Sequence, residues 1–352
     1  MRAARDSGLN PLLAVLLCFS AGAAFAVLRL PLPWMIGPLV AMAMCNFGGA
    51  QLRAPPGGRA LGQVVIGTAL GLYFTPAVGR EVLAHWELLV LAGVVAVLLG
   101  VLGGWILSRA GGVDATTAFF ASVPGGAAEM TLLGERYRAR PDRVALAQSL
   151  RVLVVVLVVP FALTYSGAHG ADSFTPAQAP LRWGALLSLL AMGTAAALML
   201  DRARLPNAFM FGPLATTIAL TVANVEFSSI PTWLTNGGQV LLGCALGARF
   251  ERRSLESAPR YVAGVLTSVV ACIAVSALLA TVVAVVAGVS VPTLILAMAP
   301  GGIAEMCITA KVLQLGVPLV TAAHVARVLV LIIGTGPSYH FVRSFKSKVR
   351  IT

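Results

Sequence analysis

The sequence predicts an all-α integral membrane protein made of two inverted repeats, each with about five transmembrane helices and one re-entrant Pro-Gly-Gly hairpin. Three observations lead to this fold class. Hydrophobic residues make up 58% of the 352 residues and charged residues 11%, whereas about a quarter of a soluble domain is charged. Motifs recur after about 175 residues, and Lys and Arg fall mainly on one side of a ten-span topology.

Apolar length supports the membrane assignment. About twelve apolar segments approach the roughly 20 residues with which a helix crosses a bilayer, and no stretch between them is long and polar enough to form a soluble domain. The net charge of +12 is compatible with nucleic acid, but the basic residues occupy short loops between spans. We therefore expect contact with membrane lipid and no nucleic-acid partner, and we leave a homodimer open.

An internal repeat divides the chain into residues 1–175 and 176–352, one membrane repeat each. The matching motifs are Arg-Leu-Pro at 29–31 and 204–206, Gly-Gln at 62–63 and 238–239, and Pro-Gly-Gly at 124–126 and 300–302. Each copy holds six apolar segments. Five true crossings per copy would invert the second copy relative to the first, whereas six would leave the copies parallel.

The distribution of basic residues favours the inverted arrangement. If all twelve segments cross, Lys and Arg are nearly balanced, 10 against 13. If the two Pro-Gly-Gly segments enter and leave on the same side, 19 of the 25 basic residues lie inside and 4 outside, with Arg151 and Arg327 within spans. Because cytoplasmic loops are enriched in Lys and Arg, we expect a multi-pass protein of the bacterial inner membrane with both termini in the cytoplasm.

The Pro-Gly-Gly segments are predicted to be the turns of half-membrane hairpins. The arms of the first, residues 114–123 and 127–137, have about ten residues each and would be about 15 Å long, half of a bilayer core. Broken helices that span the membrane are the alternative. Backbone freed at a break needs partners from protein or cavity water. We therefore assign these break residues to a binding site: Pro124, Gly125, Gly126, Pro300, Gly301 and Gly302.

Glu129 and Glu305 follow the two breaks by three residues. An acidic side chain there can accept hydrogen bonds from free N–H groups at the start of a helix and interact with the helix dipole. It can equally be a coupling site for H⁺ or Na⁺ or contact a substrate, because ionisable groups deep in a membrane are costly and mostly functional. Both interpretations stay open here.

Arg151 and Arg327 lie in the apolar segments after the hairpins, and Gln148 and His324 precede them by three residues on the same helix face. The arginines can neutralise the two glutamates internally or bind an anion, since a guanidinium group matches a carboxylate. His324 can titrate near neutral pH or be a satisfied structural residue. We include all four in the candidate site.

Gln63 and Gln239 each begin a glycine-rich segment, GQVVIGTALG and GQVLLGCALG. Glycines at these spacings mostly allow helices to approach closely. A polar contact in the binding site is the second interpretation for the two glutamines.

Enzyme motifs are sparse. The four His residues are far apart, the five Cys residues form no CxxC motif, and no phosphate loop or nucleophile elbow follows a strand. We therefore expect no enzymatic activity, no cofactor and no metal site.

The doubled Pro-Gly-Gly-x-Ala-Glu-Met motif, the Gly-Gln spans and the length near 350 residues resemble the bacterial AbrB-duplication membrane proteins. The resemblance covers nearly the whole chain. Such proteins are often labelled ammonia monooxygenases or AbrB family transcriptional regulators, which implies a link to regulation of gene expression. The hairpins are also similar to those of sodium-coupled citrate and glutamate carriers, which have inverted five-helix repeats but a longer Gly-Gly-x-Gly tip.

Three functions follow as hypotheses. A secondary transporter of a small organic anion or amino acid, coupled to H⁺ or Na⁺, agrees best with inverted repeats whose hairpin tips meet at the midplane. A membrane-embedded regulator of gene expression is the alternative. An ammonia monooxygenase is third, because the chain lacks the metal ligands that such chemistry needs.

Overall fold

A computed structural model describes residues 9–168, 170, 180–225, 227–250 and 258–349, and every regular element in these ranges is an α-helix. The predicted cytoplasmic termini lie outside the described residues. The chain divides into two compact units, Met1–Gly79 with Thr175–Ser257 (unit 1) and Arg80–Phe174 with Ala258–Thr352 (unit 2). Each unit therefore combines a segment from the first half of the chain with one from the second half.

The helices are, in chain order, α1 (Leu9–Val27), α2 (Pro33–Phe47), α3 (Gly58–Gly71), α4 (Pro76–Ala84), α5 (Trp86–Ala110), α6 (Ala115–Ser122), α7 (Ala127–Arg136), α8 (Pro141–Tyr165), α9 (Trp183–Arg202), α10 (Ala208–Val222), α11 (Thr232–Gly247), α12 (Pro259–Ala287), α13 (Val291–Met298), α14 (Ile303–Leu313) and α15 (Val317–Val349).

Unit 1 contains α1 to α3 and α9 to α11. The helix α2 packs against α1 and α11, and α10 packs against α9 and α3. The helices α3 and α11 approach closely at Gly62, where a Cβ atom would lie 2.7 Å from the carbonyl oxygen of Gly238. A glycine is required at this contact because any larger residue would push the two helices apart.

Unit 2 contains α5 to α8 and α12 to α15. The long helix α5 packs against α12 and α15, and α8 contacts α12. Two pairs of short helices, α6–α7 and α13–α14, pack among these long helices. A buried apolar cluster around Phe119, Phe120 and Val144 joins the first pair to α8.

The two short-helix pairs are interrupted at the Pro-Gly-Gly segments. The first break (residues 123–126) separates α6 from α7, and the second break (residues 299–302) separates α13 from α14. Val123 and Ala299, which precede the prolines, are extended with ψ values of 127° and 139°, because a following proline disfavours helical backbone. The helix ends lie within one residue of the arm boundaries predicted for the first pair.

Five described helices are long and apolar enough to cross a membrane: Trp86–Ala110, Pro141–Tyr165, Trp183–Arg202, Pro259–Ala287 and Val317–Gly334. The helices α3 and α4, bent by 90°, make a sixth candidate if they form one span. The apolar helices α2 and α10 have 15 residues and rise only about 22 Å. The protein is thus membrane-like and all-helical, while its ten crossings and inverted repeats stay predictions.

Candidate functional site

Twelve of the fourteen predicted site residues lie in unit 2, on the two short-helix pairs, their breaks, and α8 and α15. Gln63 and Gln239 lie in unit 1 on α3 and α11, each next to a glycine of the close helix contact. Their position agrees with the packing interpretation. The candidate site is therefore built from unit 2.

The second glycine of each break makes room for a glutamate. A Cβ atom at Gly126 would overlap the carboxylate of Glu129, and a Cβ atom at Gly302 would overlap the carboxylate of Glu305. Gly126 and Gly302 are the N-cap residues of α7 and α14, so each glutamate is the third residue of its helix and folds back over the cap. This is the geometry in which a glutamate satisfies free N–H groups at the start of a helix.

The first glycine of each break makes room for a methionine. A Cβ atom would lie 2.7 Å from the side chain of Met130 at Gly125, and 2.8 Å from that of Met306 at Gly301. The repeated motif therefore has a steric explanation, because each glycine accommodates a side chain that follows it in the motif. The same contacts occur at both breaks.

Arg151 holds the first break from α8. Its Nη1 atom donates to the carbonyl oxygen of Val123 at 2.9 Å, and its Nη2 atom donates to that of Gly125 at 3.2 Å. Pro124 interrupts the helix because it has no N–H group to donate. The guanidinium group therefore bridges two backbone carbonyl groups of the break, and the Val123 carbonyl oxygen also accepts from the Gly125 N–H group at 2.8 Å.

Arg327 holds the second break from α15 in the same way. Its Nη1 and Nη2 atoms donate to the carbonyl oxygens of Ala299 at 2.7 Å and Gly301 at 2.5 Å. The positions of donor and acceptors correspond to those at the first break after a shift of 176 residues. The sequence repeat is thus also a repeat of side-chain contacts.

Gln148 and His324 support the helices that lead into the breaks. The amide nitrogen of Gln148 donates to the carbonyl oxygens of Phe120 and Val123, both at 2.9 Å. The Nε2 atom of His324 lies 3.0 Å from the carbonyl oxygen of Leu296. Both side chains are fully buried, so they position the ends of α6 and α13.

The charged residues of the cluster lie within electrostatic range of one another. Arg151 interacts with Arg327 and with Glu305, and Glu305 also interacts with Arg327. The three side chains are 5%, 3% and 8% exposed, whereas Glu129 is half-buried. Like charges repel strongly in a low dielectric. A second anion, in addition to Glu305, would therefore be favoured near the two buried arginines because it would offset their mutual repulsion.

Several buried polar atoms of this cluster have no hydrogen-bond partner in the part of the chain that the structure describes. They are the Nε atoms of Arg151 and Arg327, the Oε1 atom of Gln148 and the Nδ1 atom of His324. Buried polar groups are nearly always paired in folded proteins, and exceptions often mark functional sites. The cluster therefore has hydrogen-bonding capacity that the described residues do not use.

A small cavity lies beside the first break. About 20 Å³ of it is open to the centre of a water molecule, more than the roughly 10–15 Å³ that one water needs. Residues from both breaks, α5, α8 and α12 line it, including Leu99, Pro124, Arg151, Ser268, Cys272 and Pro300. Arg151 thus has access to open space as well as to the backbone of the break.

The cavity residues of α12 were not predicted from the sequence. Ser268, Cys272 and Ser276 recur at every fourth position and therefore share one face of this helix. Ser268 and Cys272 donate to carbonyl oxygens of α5, at 3.0 and 3.4 Å, and Ser276 donates to that of Met298 at 2.8 Å. This spacing of small polar residues in an apolar helix was the available signal.

Among the described residues no group of three or more His, Cys, Asp or Glu side chains is placed to hold a metal ion. The buried imidazole of His324 interacts with Arg327. The cluster thus consists of two arginines that donate to backbone carbonyl groups and two glutamates in the first turns of α7 and α14.

These features define a multi-pass helical protein of the membrane type, with a buried ionic cluster at two helix breaks. The chain belongs to the family described as transition state regulatory protein AbrB, whose model matches residues 34–343. The resemblance based on the doubled Pro-Gly-Gly motif is therefore confirmed.

Two curated relatives are similar to the chain over most of its length. The "Uncharacterized protein YhjN" of Bacillus subtilis (strain 168) is 29% identical over 335 residues, which cover 88% of this chain and 87% of the relative. The "Putative regulator AbrB" of Escherichia coli (strain K12) is 26% identical over 332 residues, 92% of this chain and 94% of the relative.

Proposed function

We propose that the chain is an ion-coupled secondary transporter of a small organic anion or amino acid. The observation that carries the proposal is the presence of two buried arginines at two helix breaks in one unit. The helices α7 and α14 begin at these breaks, and the N-terminal end of a helix favours an anion. Breaks of this kind beside buried charges are typical of the substrate sites of transporters.

The proposed topology has ten crossings, inverted repeats and re-entrant pairs α6–α7 and α13–α14, whose breaks lie near the midplane of a bacterial inner membrane. The chain would then have both termini in the cytoplasm and contact lipid, with a homodimer left open. Arg136 and Val312 are exposed, repeat-related positions near the ends of α7 and α14. Single Cys variants at these positions in a Cys-free background should react with an impermeant maleimide from opposite sides. Reaction of both from the same side would exclude the inverted arrangement.

The two glutamates are the proposed coupling residues. Glu129→Gln and Glu305→Gln keep the shape of the side chain but not its charge, so each should abolish uptake driven by a H⁺ or Na⁺ gradient in proteoliposomes while the protein still folds. Glu135→Gln is the matched control, because Glu135 is an exposed residue of the same helix α7. Normal gradient-driven uptake by both variants would assign the glutamates to helix capping alone.

Regulation of gene expression is the second candidate, and the name of the E. coli relative favours it. A membrane-embedded regulator would alter transcription through a partner without moving a solute. Deletion of the gene, complemented by wild type or by Glu305→Gln, separates the two functions. A transcript response that Glu305→Gln restores fully, together with no flux through the purified wild-type protein, would favour the regulator. We propose no enzymatic activity and no cofactor.

A further inference from the structure

We infer that the ligand of this site is a short monocarboxylate and that Arg151, rather than Arg327, binds its carboxylate group. This inference rests on the proposed transport function for the passage of the ligand. Its chemistry rests on the cavity beside the first break. It narrows the proposed class, since it disfavours dicarboxylates and amino acids.

The two arginines differ in the lengths of their hydrogen bonds to the backbone and in their access to the cavity. Arg327 donates to two carbonyl oxygens at 2.7 and 2.5 Å, whereas the corresponding bonds of Arg151 measure 2.9 and 3.2 Å. Arg151 also lines the cavity, whereas Arg327 is not among the lining residues. The Nη1 and Nη2 atoms of Arg151 each carry a second N–H group, so a carboxylate in the cavity can accept from both, and the long bond from Nη2 to Gly125 can yield to it. Such paired contacts from a guanidinium group are the strong form of carboxylate recognition.

The cavity offers one charge to a ligand. Arg151 is the single charged residue among the described residues that line it. Ser268 and Cys272 also line it, but their donors already bind the carbonyl oxygens of Gly103 and Leu99. Within this lining a second carboxylate would contact no cation, and an ammonium group would contact no anion. Burial of an unpaired charge is strongly unfavourable, so the lining favours a ligand with one negative charge.

The remainder of the lining is apolar and sets the size of the ligand. Leu99, Leu107, Val265 and Val269 contribute branched side chains, and Pro124 and Pro300 close the side of the breaks. Because the space open to the centre of a water molecule is about 20 Å³, the body of the ligand must be small. We expect a chain of about two to four carbons, whose methylene groups are stabilised by removal from water.

The ligand class is tested with the purified full-length protein by isothermal titration calorimetry. The probes are sodium acetate, propionate and butyrate, with succinate and alanine as matched compounds that add a second carboxylate and an ammonium group. At least one monocarboxylate should bind saturably, with an affinity at least about tenfold above that of succinate or alanine, as expected for an unpaired buried charge. Equal or tighter binding of succinate or alanine, or no binding of any monocarboxylate, would overturn the inference.

The role of Arg151 is tested with Arg151→Lys, which should weaken binding about tenfold or more because an ammonium group cannot make the paired contact. The control is Arg143→Lys, on the same helix two turns away, where the arginine side chain is 15% exposed and outside the cavity. Unchanged affinity of Arg151→Lys would refute the assignment.

A second variant tests, without changing Arg151, whether the size of the cavity sets the chain length of the ligand. Val269→Ala removes two methyl groups from the lining, so the preferred chain should lengthen by about one or two carbons. Val270→Ala on the same helix is the control, because Val270 is 55% exposed. An unchanged chain-length preference in Val269→Ala would place the ligand elsewhere, even if Arg151→Lys fails to fold.

Failure of this inference can be told apart from failure of the transport proposal. Gradient-driven uptake of a dicarboxylate or an amino acid that is insensitive to Arg151→Lys would refute the monocarboxylate site and leave a transporter. Saturable binding of a monocarboxylate without uptake under any H⁺ or Na⁺ gradient would keep the site and refute transport.

Discussion

The two short-helix pairs follow the same backbone plan but differ in burial. In the second pair, residues 303–310 are buried throughout, and Glu305 is 8% exposed. In the first pair, Ala128 is exposed, Leu132 is 64% exposed and Glu129 is half-buried. The same motif therefore lies in two environments. The second short-helix pair is buried, and the first is partly exposed.

The pairs also differ in how their first helices begin. Asp114 caps α6, where its carboxylate accepts from the backbone nitrogen of Thr117 at 2.9 Å and from the Thr117 hydroxyl at 2.6 Å. Ser290 occupies the corresponding position before α13, and its side chain makes no capping bond. The first pair thus relies on local polar contacts and the second on burial. Repeat-related arginines at the two breaks therefore need not have the same role.

The largest difference is expected between Arg327→Ala and Arg151→Ala. Loss of Arg327 leaves two carbonyl groups of a buried break without this donor and removes one of the two cations near buried Glu305, so the free energy of unfolding should fall by about 3–5 kcal/mol. Loss of Arg151, at the partly open break, should lower it by about 1–3 kcal/mol. Thermal unfolding of the detergent-solubilised variants measures both. Equal losses would mean that the difference in burial has no energetic consequence.

An intermediate difference is expected between Ala304→Leu and Ala128→Leu. Ala304 is 7% exposed, so a larger side chain should overpack its surroundings and lower the free energy of unfolding by about 1–3 kcal/mol. Ala128 is exposed, and its replacement should change stability by less than about 0.5 kcal/mol. The same unfolding measurement applies to both. A destabilising Ala128→Leu would show that the open side of the first pair is covered in the folded protein.

The smallest difference is expected between Gly302→Ala and Gly126→Ala. Either new Cβ atom would overlap a glutamate carboxylate, but Glu129 is half-buried and has more room to move than Glu305, which is 8% exposed. We expect losses of about 1–2 kcal/mol at Gly302 and about 0.5 kcal/mol at Gly126, in the range of lost helix caps. The double variant Gly302→Ala/Glu305→Ala removes the overlap. Its loss in free energy of unfolding should therefore be smaller than the sum of the losses of the two single variants. Strict additivity would contradict the steric explanation.

Several features of the fold could be predicted from the sequence because they depend on local chemistry. A proline disfavours helical backbone at the preceding residue, and two glycines permit the turn that follows. The breaks at Pro124 and Pro300 and the first pair's arm boundaries therefore followed from a few adjacent residues. Burial of Arg151, Arg327, Gln148 and His324 near the breaks followed from their position in apolar segments and from the repeat.

Other features depend on residues that are distant in sequence. The stripe of Ser268, Cys272 and Ser276 becomes part of the site only because α12 packs against α5 and the second pair, over separations of up to 173 residues. Internal Glu–Arg neutralisation and anion binding were the two roles predicted for the arginines. In the structure their terminal nitrogens donate to backbone carbonyl groups at the two helix breaks.

An apolar helical chain, a doubled motif and two helix breaks follow from the amino-acid sequence alone, because composition, repetition and backbone preference are local properties. Tertiary packing sets which copy of the motif is enclosed and which arginine borders a cavity. Both copies encode nearly the same local contacts. Burial and open space arise instead from the long helices that pack around each copy, and those neighbours differ between the two halves of the chain.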